Sequence, residues 1–393
     1  MPALRDPFDV IQDPADVGID TTKLAGLVER AHREIDEGLL PSCQLAVARH
    51  GRLVLFHTYG EATDATRYVI FSATKAIVAS AIWMLIGEGD LDPSAKVADL
   101  IPEFATNGKD VVTVEQVMFH TSGFPHAPMP PSLWQDRAGR LERFSQWRLN
   151  WQPGTAFEYH PTSAHWVLAE LITRVSGQDH RHFVTSRLAE PLGLPDLRLG
   201  VPEDEQHGIA TLVAAGEPAT EDEMEAATGL RIMVPTEVTE EALLLQNAPA
   251  NRAAGLPGGG AITRAAEMAL FYQALLHNPG GLWATDVLAD ATSHVRNTFI
   301  DPMVGVPANR TLGLCLAGDD GNSARRHNFG RTVSGRAFGH AGAGGQIAWA
   351  DPATGISFCY LTNGLDANVL REGRRGVALS SRAAALSLDG VAD

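Results

Sequence analysis

The sequence predicts an α+β fold: an antiparallel sheet flanked by helices, built from both chain termini, with a mainly helical domain inserted between them. Three observations carry this prediction. Strand-like apolar runs lie near the start, over residues 43–59. Others lie near the end, over residues 312–317, 345–350 and 356–362. Between them, residues 94–200 read mainly as helix. The domain reading follows: residues 1–85 and 250–393 form a discontinuous sheet domain. Residues 86–249 form a helical domain carrying an acidic insertion at about 201–250.

In chain order, Leu24, Leu27, Val28, Ala31 and Ile35 mark an amphipathic helix over 21–38. Residues 43–59 read as a β-hairpin, because His50-Gly51 between two β-rich runs is a two-residue turn that wants positive φ at glycine. A strand end at Tyr68 leads into a helix from Ser72, which stops near Gly87 and Gly89. Thr113-Val114-Glu115-Gln116 is a capping box that opens a short helix ending before His120. The proline-rich segment 124–131 cannot be regular and reads as a loop, with helix resuming over 163–175. The acidic stretch within 201–251 reads as a solvated insertion or lid. A helix over 265–276 follows Gly258-Gly259-Gly260, and Asp351-Pro352-Ala353-Thr354-Gly355 is a turn between the last two strands. A final helix spans about 367–386.

Composition narrows the function classes. A hydrophobic fraction of 45% with 20% charged residues is that of a globular protein able to bury a large core. The formal net charge of −16 argues against nucleic-acid and anionic-membrane partners, which need a basic face. No apolar run is long enough to span a bilayer, and the acidic, proline-bearing N-terminus lacks the apolar core of a secretion signal. Cys43, Cys315 and Cys359 sit far apart in apolar runs and read as buried thiols. The expected compartment is therefore the cytoplasm. His180-Arg181-His182 lacks a third ligand at metal spacing and reads as exposed surface, so no metal or cofactor is expected.

The chemistry centres on Ser72-Ala73-Thr74-Lys75. Residues three apart share one helix face, so the Ser72 hydroxyl and the Lys75 amine can meet. A serine hydroxyl needs such a neighbour to become a nucleophile. With only four lysines in the chain, this S-x-x-K tetrad is not a by-product of lysine richness. The first turn of a helix also offers unpaired N–H groups where an oxyanion forms. Two distant segments add to it: Tyr159 on a turn-rich loop before a helix, and the glycine-rich start of a strand at 338–345.

Taken together, FSATK, LIPEF with HTSGFP, PGTAFEYHP, GLPGGGAITRAAEMALF and GHAGAGG with YLTNG resemble the serine β-lactamase-like family over about residues 20–365. That family includes class C β-lactamases, DD-peptidases and family VIII carboxylesterases. The resemblance implies a β-lactamase/transpeptidase-like fold. It also implies acylation of Ser72, with Lys75 keeping the site basic and Tyr159 as general base. The backbone N–H groups of Ser72 and Ala343 would form the oxyanion hole, and His340, Gly342 and Gly344 would bind substrate. The sequence departs from the family at two points. His340 stands where most β-lactamases carry a lysine that pairs with a substrate carboxylate, and Pro161 replaces an asparagine whose amide binds an acylamino group. Both losses favour carboxylic ester hydrolysis. The alternatives are β-lactam or D-amino-acid peptide hydrolysis, acyl transfer, and a penicillin-binding sensor that stays acylated. The expected partner is a small ester or amide. His340 is assigned to substrate orientation or to a hydrogen bond with Tyr159, with a purely structural role as the alternative.

Overall fold

A computed structural model of the chain describes residues 8–229 and 238–389. Residues 1–7, read for a secretion signal, and residues 230–237, within the acidic insertion, lie outside the described residues. The strands run in chain order as β1 Ser42–Arg49, β2 Arg52–Gly60, β3 Tyr68–Val69, β4 Arg198–Leu199, β5 Val213–Ala215 and β6 Ala261–Thr263. They continue as β7 Cys315–Leu316, β8 Phe338–Gly339, β9 Ile347–Asp351, β10 Ile356–Thr362 and β11 Gly364–Asp366.

His50 and Gly51 take φ of 53° and 72°, so both residues of the hairpin turn are left-handed, as a tight turn between twisted strands requires. The resulting ribbon joins strands from the other end of the chain. Six strands form one sheet in the order β2-β1-β10-β9-β8-β7, with every pairing antiparallel. Residues within one strand alternate between two cores. Cys43, Leu45 and Val47 of β1, with Ile356, Phe358 and Tyr360 of β10, face one core. Ala46, Ala48, Cys359 and Leu361 face the other. Cys43 and Cys359 therefore lie on opposite faces of the sheet, and all three thiols are buried.

Helix α1, Thr21–Asp36, begins where the Asp20 carboxylate accepts from the Thr22 and Lys23 amides. It packs on the first face beside the C-terminal helix Val369–Ala384. The opposite face carries α2, Thr74–Gly87, and the helix Ala265–His277. Residues 74–85 of α2 are buried all round, because apolar and small side chains leave it no polar face. Lys75 is the lone charged residue of that stretch.

Three expectations are corrected. The helix does not begin at Ser72: residues Phe71–Ala73 form a 3₁₀ turn and α2 starts at Thr74. The run 312–317 shortens to Cys315–Leu316. Gly313 there holds φ of 99° against α2, where a Cβ would sit 2.4 Å from Ala79 Cβ, and that left-handed backbone interrupts the strand. His180 is buried at the start of a short helix while His182 is exposed, so the pair is not one surface patch. Among the described residues no helix is long and apolar enough to cross a membrane, and no cluster of His, Cys, Asp and Glu could hold a metal ion.

Candidate active site

The small sheet β3-β6-β4 sets the position of Ser72. Ile70 N–H donates to Ala261 O at 3.0 Å, and Ala261 N–H returns to Thr74 Oγ1 at 3.0 Å. Between these anchors Phe71 holds φ of 44°, a conformation costly for an aromatic residue and kept here by the bonds on either side. The turn delivers Ser72 to the wall of a cavity of about 330 Å³.

Lys75 Nζ is buried and lies 3.3 Å from Ser72 Oγ. Its other two contacts are carbonyls, Pro161 O at 2.7 Å and Gly258 O at 2.6 Å. Pro161 thus replaces a side-chain amide but still holds the lysine through its backbone. Gly258 has to be bare: a Cβ would fall 2.9 Å from Pro161 O and 3.4 Å from Lys75 Nζ. Burial, followed by repulsion from Arg310, lowers the Lys75 pKa well below that of a free lysine. A neutral amine has two hydrogens and one lone pair. In that state the two carbonyls would take the hydrogens, and the lone pair would be free to accept from the Ser72 hydroxyl.

Tyr159 joins this pair from the loop before the helix Ser163–Ser176, its ring centroid 5.1 Å from Lys75 Nζ. Its hydroxyl is buried and has no protein partner at hydrogen-bond geometry. Burial pushes the phenol up to about 12; Arg310 and then the nearby Ser72 hydroxyl work in the opposite direction. Burial therefore opposes ionisation of Tyr159, which the general-base role implied by the resemblance would need, and it favours a neutral lysine instead.

His340 does not bond Tyr159. The two rings are 5.9 Å apart, Nδ1 meets Ala341 O at 2.8 Å, and Nε2 is buried without a protein partner. Burial, then Arg310 and Lys75, holds the imidazole neutral. His340, Gly342 and Gly344, assigned to substrate binding, are not among the residues that wall the cavity, whereas Ala343 is. Gly342 and Gly344 instead flank Ala343 where the backbone packs closely. A Cβ on Gly342 would lie 2.2 Å from Ile70 O, and one on Gly344 would lie 2.6 Å from Leu365. Bare backbone at these two positions brings Ala343 against the Ser72 turn, so both expected oxyanion-hole residues share one wall.

The rest of the wall is mostly apolar. Pro128, Met129, Pro131 and Trp134 come from the proline-rich loop and the turn after it, and Val238, Leu243 and Leu245 from the insertion. Within the insertion, read as a solvated segment or lid, residues 221–228 form a largely exposed helix, and Val238, Ala242, Leu243, Leu245 and Gln246 line the cavity. Among the described residues Arg143 is the one charged residue of the wall, its guanidinium bonded to Pro128 O and Gln146 Oε1.

Sequence reasoning missed the residues behind Tyr159. The His120 ring lies 5.0 Å from the tyrosine and Arg310 Cζ 5.3 Å from its centroid. Arg310 sits in an irregular segment, where no periodicity or motif points to it. His160 turns away from the site: its Nε2 takes Ser122 Oγ at 3.1 Å and the Phe124 N–H at 3.2 Å, tying down the loop.

Comparison with known proteins agrees with this fold. The beta-lactamase family profile matches residues 27–382. An esterase/beta-lactamase, LipL, of Mycobacterium tuberculosis is 28% identical over 329 residues, covering 76% of this chain and 69% of that protein. The crystal structure of a penicillin-binding protein homologue from Caulobacter crescentus is 27% identical, with a TM-score of 0.76, over 93% of this chain and 98% of its own. A family VIII carboxylesterase structure, 24% identical, shares the fold with a TM-score of 0.76, over 93% of this chain and 99% of its own. With the family profile spanning nearly the whole chain, this protein belongs to the beta-lactamase family.

Proposed function

We propose that this protein is a serine hydrolase that forms an acyl-enzyme on Ser72 and hydrolyses carboxylic esters with an apolar acyl or alcohol part. One observation carries the reading: Lys75 Nζ stands 3.3 Å from Ser72 Oγ, its remaining bonds directed to carbonyls, beside an apolar cavity. The Lys75–Tyr159 pair takes the Ser72 proton as Oγ attacks the ester carbonyl. The oxyanion is met by the N–H groups of Ser72 and Ala343, each donor of this kind being worth about 3–4 kcal/mol of barrier. Collapse expels the alkoxide, which leaves as the alcohol with the proton from the pair. Water then attacks the acyl carbon and gives its proton to the pair, which returns it to Ser72 Oγ as the carboxylic acid is released.

The choice of ester over β-lactam or peptide rests on what the site lacks. His340 is held neutral and offers no charge to a substrate carboxylate. Pro161 has no side-chain amide, and Arg143 has two of its nitrogens engaged by Pro128 O and Gln146 Oε1. An ester asks for neither a cation nor an amide, and its leaving group is better than that of an amide. The name of the Mycobacterium tuberculosis relative, esterase/beta-lactamase, makes both activities the arms of the test. A panel of p-nitrophenyl esters, amino-acid amides and a chromogenic cephalosporin is run on wild type and Ser72→Ala. The reading expects short- and medium-chain esters to be turned over fastest, and only by the wild type. Faster cephalosporin turnover would reverse the preference, and a long-lived acyl adduct on Ser72 by mass spectrometry would make the protein a sensor.

A further inference from the structure

Five arginines are buried among the described residues: Arg30, Arg49, Arg252, Arg310 and Arg375. Four are partnered. Arg30 holds Glu34, Arg375 holds Asp366, and Arg49 and Arg252 donate to backbone carbonyls. Arg310 is the exception. It is 5% exposed, and its Nε and Nη1 atoms donate to no protein acceptor. No carboxylate of the described residues pairs with it; instead its Cζ sits 5.3 Å from the centroid of the Tyr159 ring. A buried cation without a counter-ion costs stability, so its retention calls for an explanation.

The groups around Tyr159 supply one. Lys75 of α2 stands over one part of the ring, His120 and His340 lie within 6 Å of it, and His165 lies beyond His120. Burial keeps all three imidazoles neutral. Asp301, from the same irregular segment as Arg310, is the acid that acts on the phenol in the opposite sense, together with Cys315. Beyond Arg310, His327 packs against Cys315. Where most β-lactamases carry a lysine this chain has a neutral histidine, so Arg310 is the permanent charge beside the pair.

We propose that Arg310 is a positioning residue whose fixed charge keeps the Lys75–Tyr159 pair one proton short, and so able to receive the Ser72 proton, at neutral pH. The inference rests on the acyl-enzyme reading above. It holds whichever partner lacks the proton. A neutral amine beside a phenol and an ammonium beside a phenolate are both favoured by a third positive charge.

The test is the pH dependence of Ser72 labelling by a fluorophosphonate probe, and of kcat/KM for a short p-nitrophenyl ester, in wild type, Arg310→Met, Arg310→Gln and Arg310→Lys. Removing the charge raises the apparent pKa of the pair. The acid limb of Arg310→Met therefore moves up by about one pH unit or more, a loss of about 10-fold below the limb that shrinks as pH rises. Arg310→Lys keeps the limb near its wild-type place. Thermal unfolding separates this from a structural role, because no ion pair is lost in Arg310→Met and its melting temperature should hold or rise. An unmoved limb overturns the proposal, and so does a pH-independent loss with a lowered melting temperature. Arg310→Gln is read the same way if Arg310→Met does not fold. If Ser72→Ala still turned over esters or took the probe, the acyl-enzyme reading itself would fall. A dead Ser72→Ala beside an unmoved limb sinks only the role of Arg310.

Discussion

Two lysines in this chain are almost equally buried and almost identically coordinated, yet only one stands at a candidate active site. Lys75 Nζ meets two carbonyls and a serine hydroxyl, over the ring of Tyr159 at 5.1 Å. Lys109 Nζ meets two carbonyls, Thr106 O and Trp147 O, and a threonine hydroxyl, over the ring of Phe104 at 5.2 Å. Coordination of the amine therefore does not make a site. What differs is the surroundings. The hydroxyl beside Lys75 borders a cavity, the ring below it can ionise, and a buried arginine stands behind. The hydroxyl beside Lys109 ties its own turn to a loop, and Phe104 has no proton to exchange. Burial lowers both amines, Lys75 well below the ordinary value and Lys109 to about 8, with repulsion from Arg148 adding to the latter.

The contrast can be broken in four ways. Ser72→Ala should cost the most, on the order of 10⁴-fold or more in kcat/KM, since a lost nucleophile cannot be replaced by the residual site. Lys75→Met should lower kcat/KM by about 10³-fold, the scale of a lost proton acceptor. The paired Lys109→Met should leave kcat/KM within about threefold while lowering stability by about 2 kcal/mol, because the Thr106 and Trp147 carbonyls lose their donor. If Lys109→Met damages turnover as much as Lys75→Met does, the distinction between the two sites fails.

The third break is in pH. Lys109 titrates near 8 in the folded chain against an ordinary value of 10.5, so between those values the unfolded chain binds more protons. Stability should rise with pH across that window, and it should fall again as pH drops from 10.5 towards 8. Denaturant titrations of wild type and Lys109→Met at pH 7.5 and 9.5 should show the rise in wild type and a smaller one in the variant. The smallest effect belongs to the cavity wall. Leu243→Trp should cut kcat/KM for octanoate esters about 10-fold relative to acetate esters, the scale of a few methylenes losing their place. Equal turnover of both esters would place the acyl chain elsewhere.

How much of this was legible depended on the range of each interaction. The hairpin at His50-Gly51 and the capping box at Thr113–Gln116 were readable because the residues that need each conformation are the ones that adopt it. Ser72 and Lys75 were readable because three residues of near-helical backbone bring them together. The strand expected over 312–317 was cut short by a contact with Ala79, more than two hundred residues away in the chain. No local pattern announces such a contact.

The residue types of the site, its serine and lysine, and the strands at both ends that frame it follow from periodicity, turn chemistry and motif order along the chain. Which protons those residues hold does not. That depends on how completely the fold strips water from Lys75 and Tyr159, and on the closing of Pro161 and Gly258 over the amine. It depends too on a guanidinium from an unpatterned segment coming to rest behind the ring. Desolvation and Coulomb forces act through space, so packing had to set them.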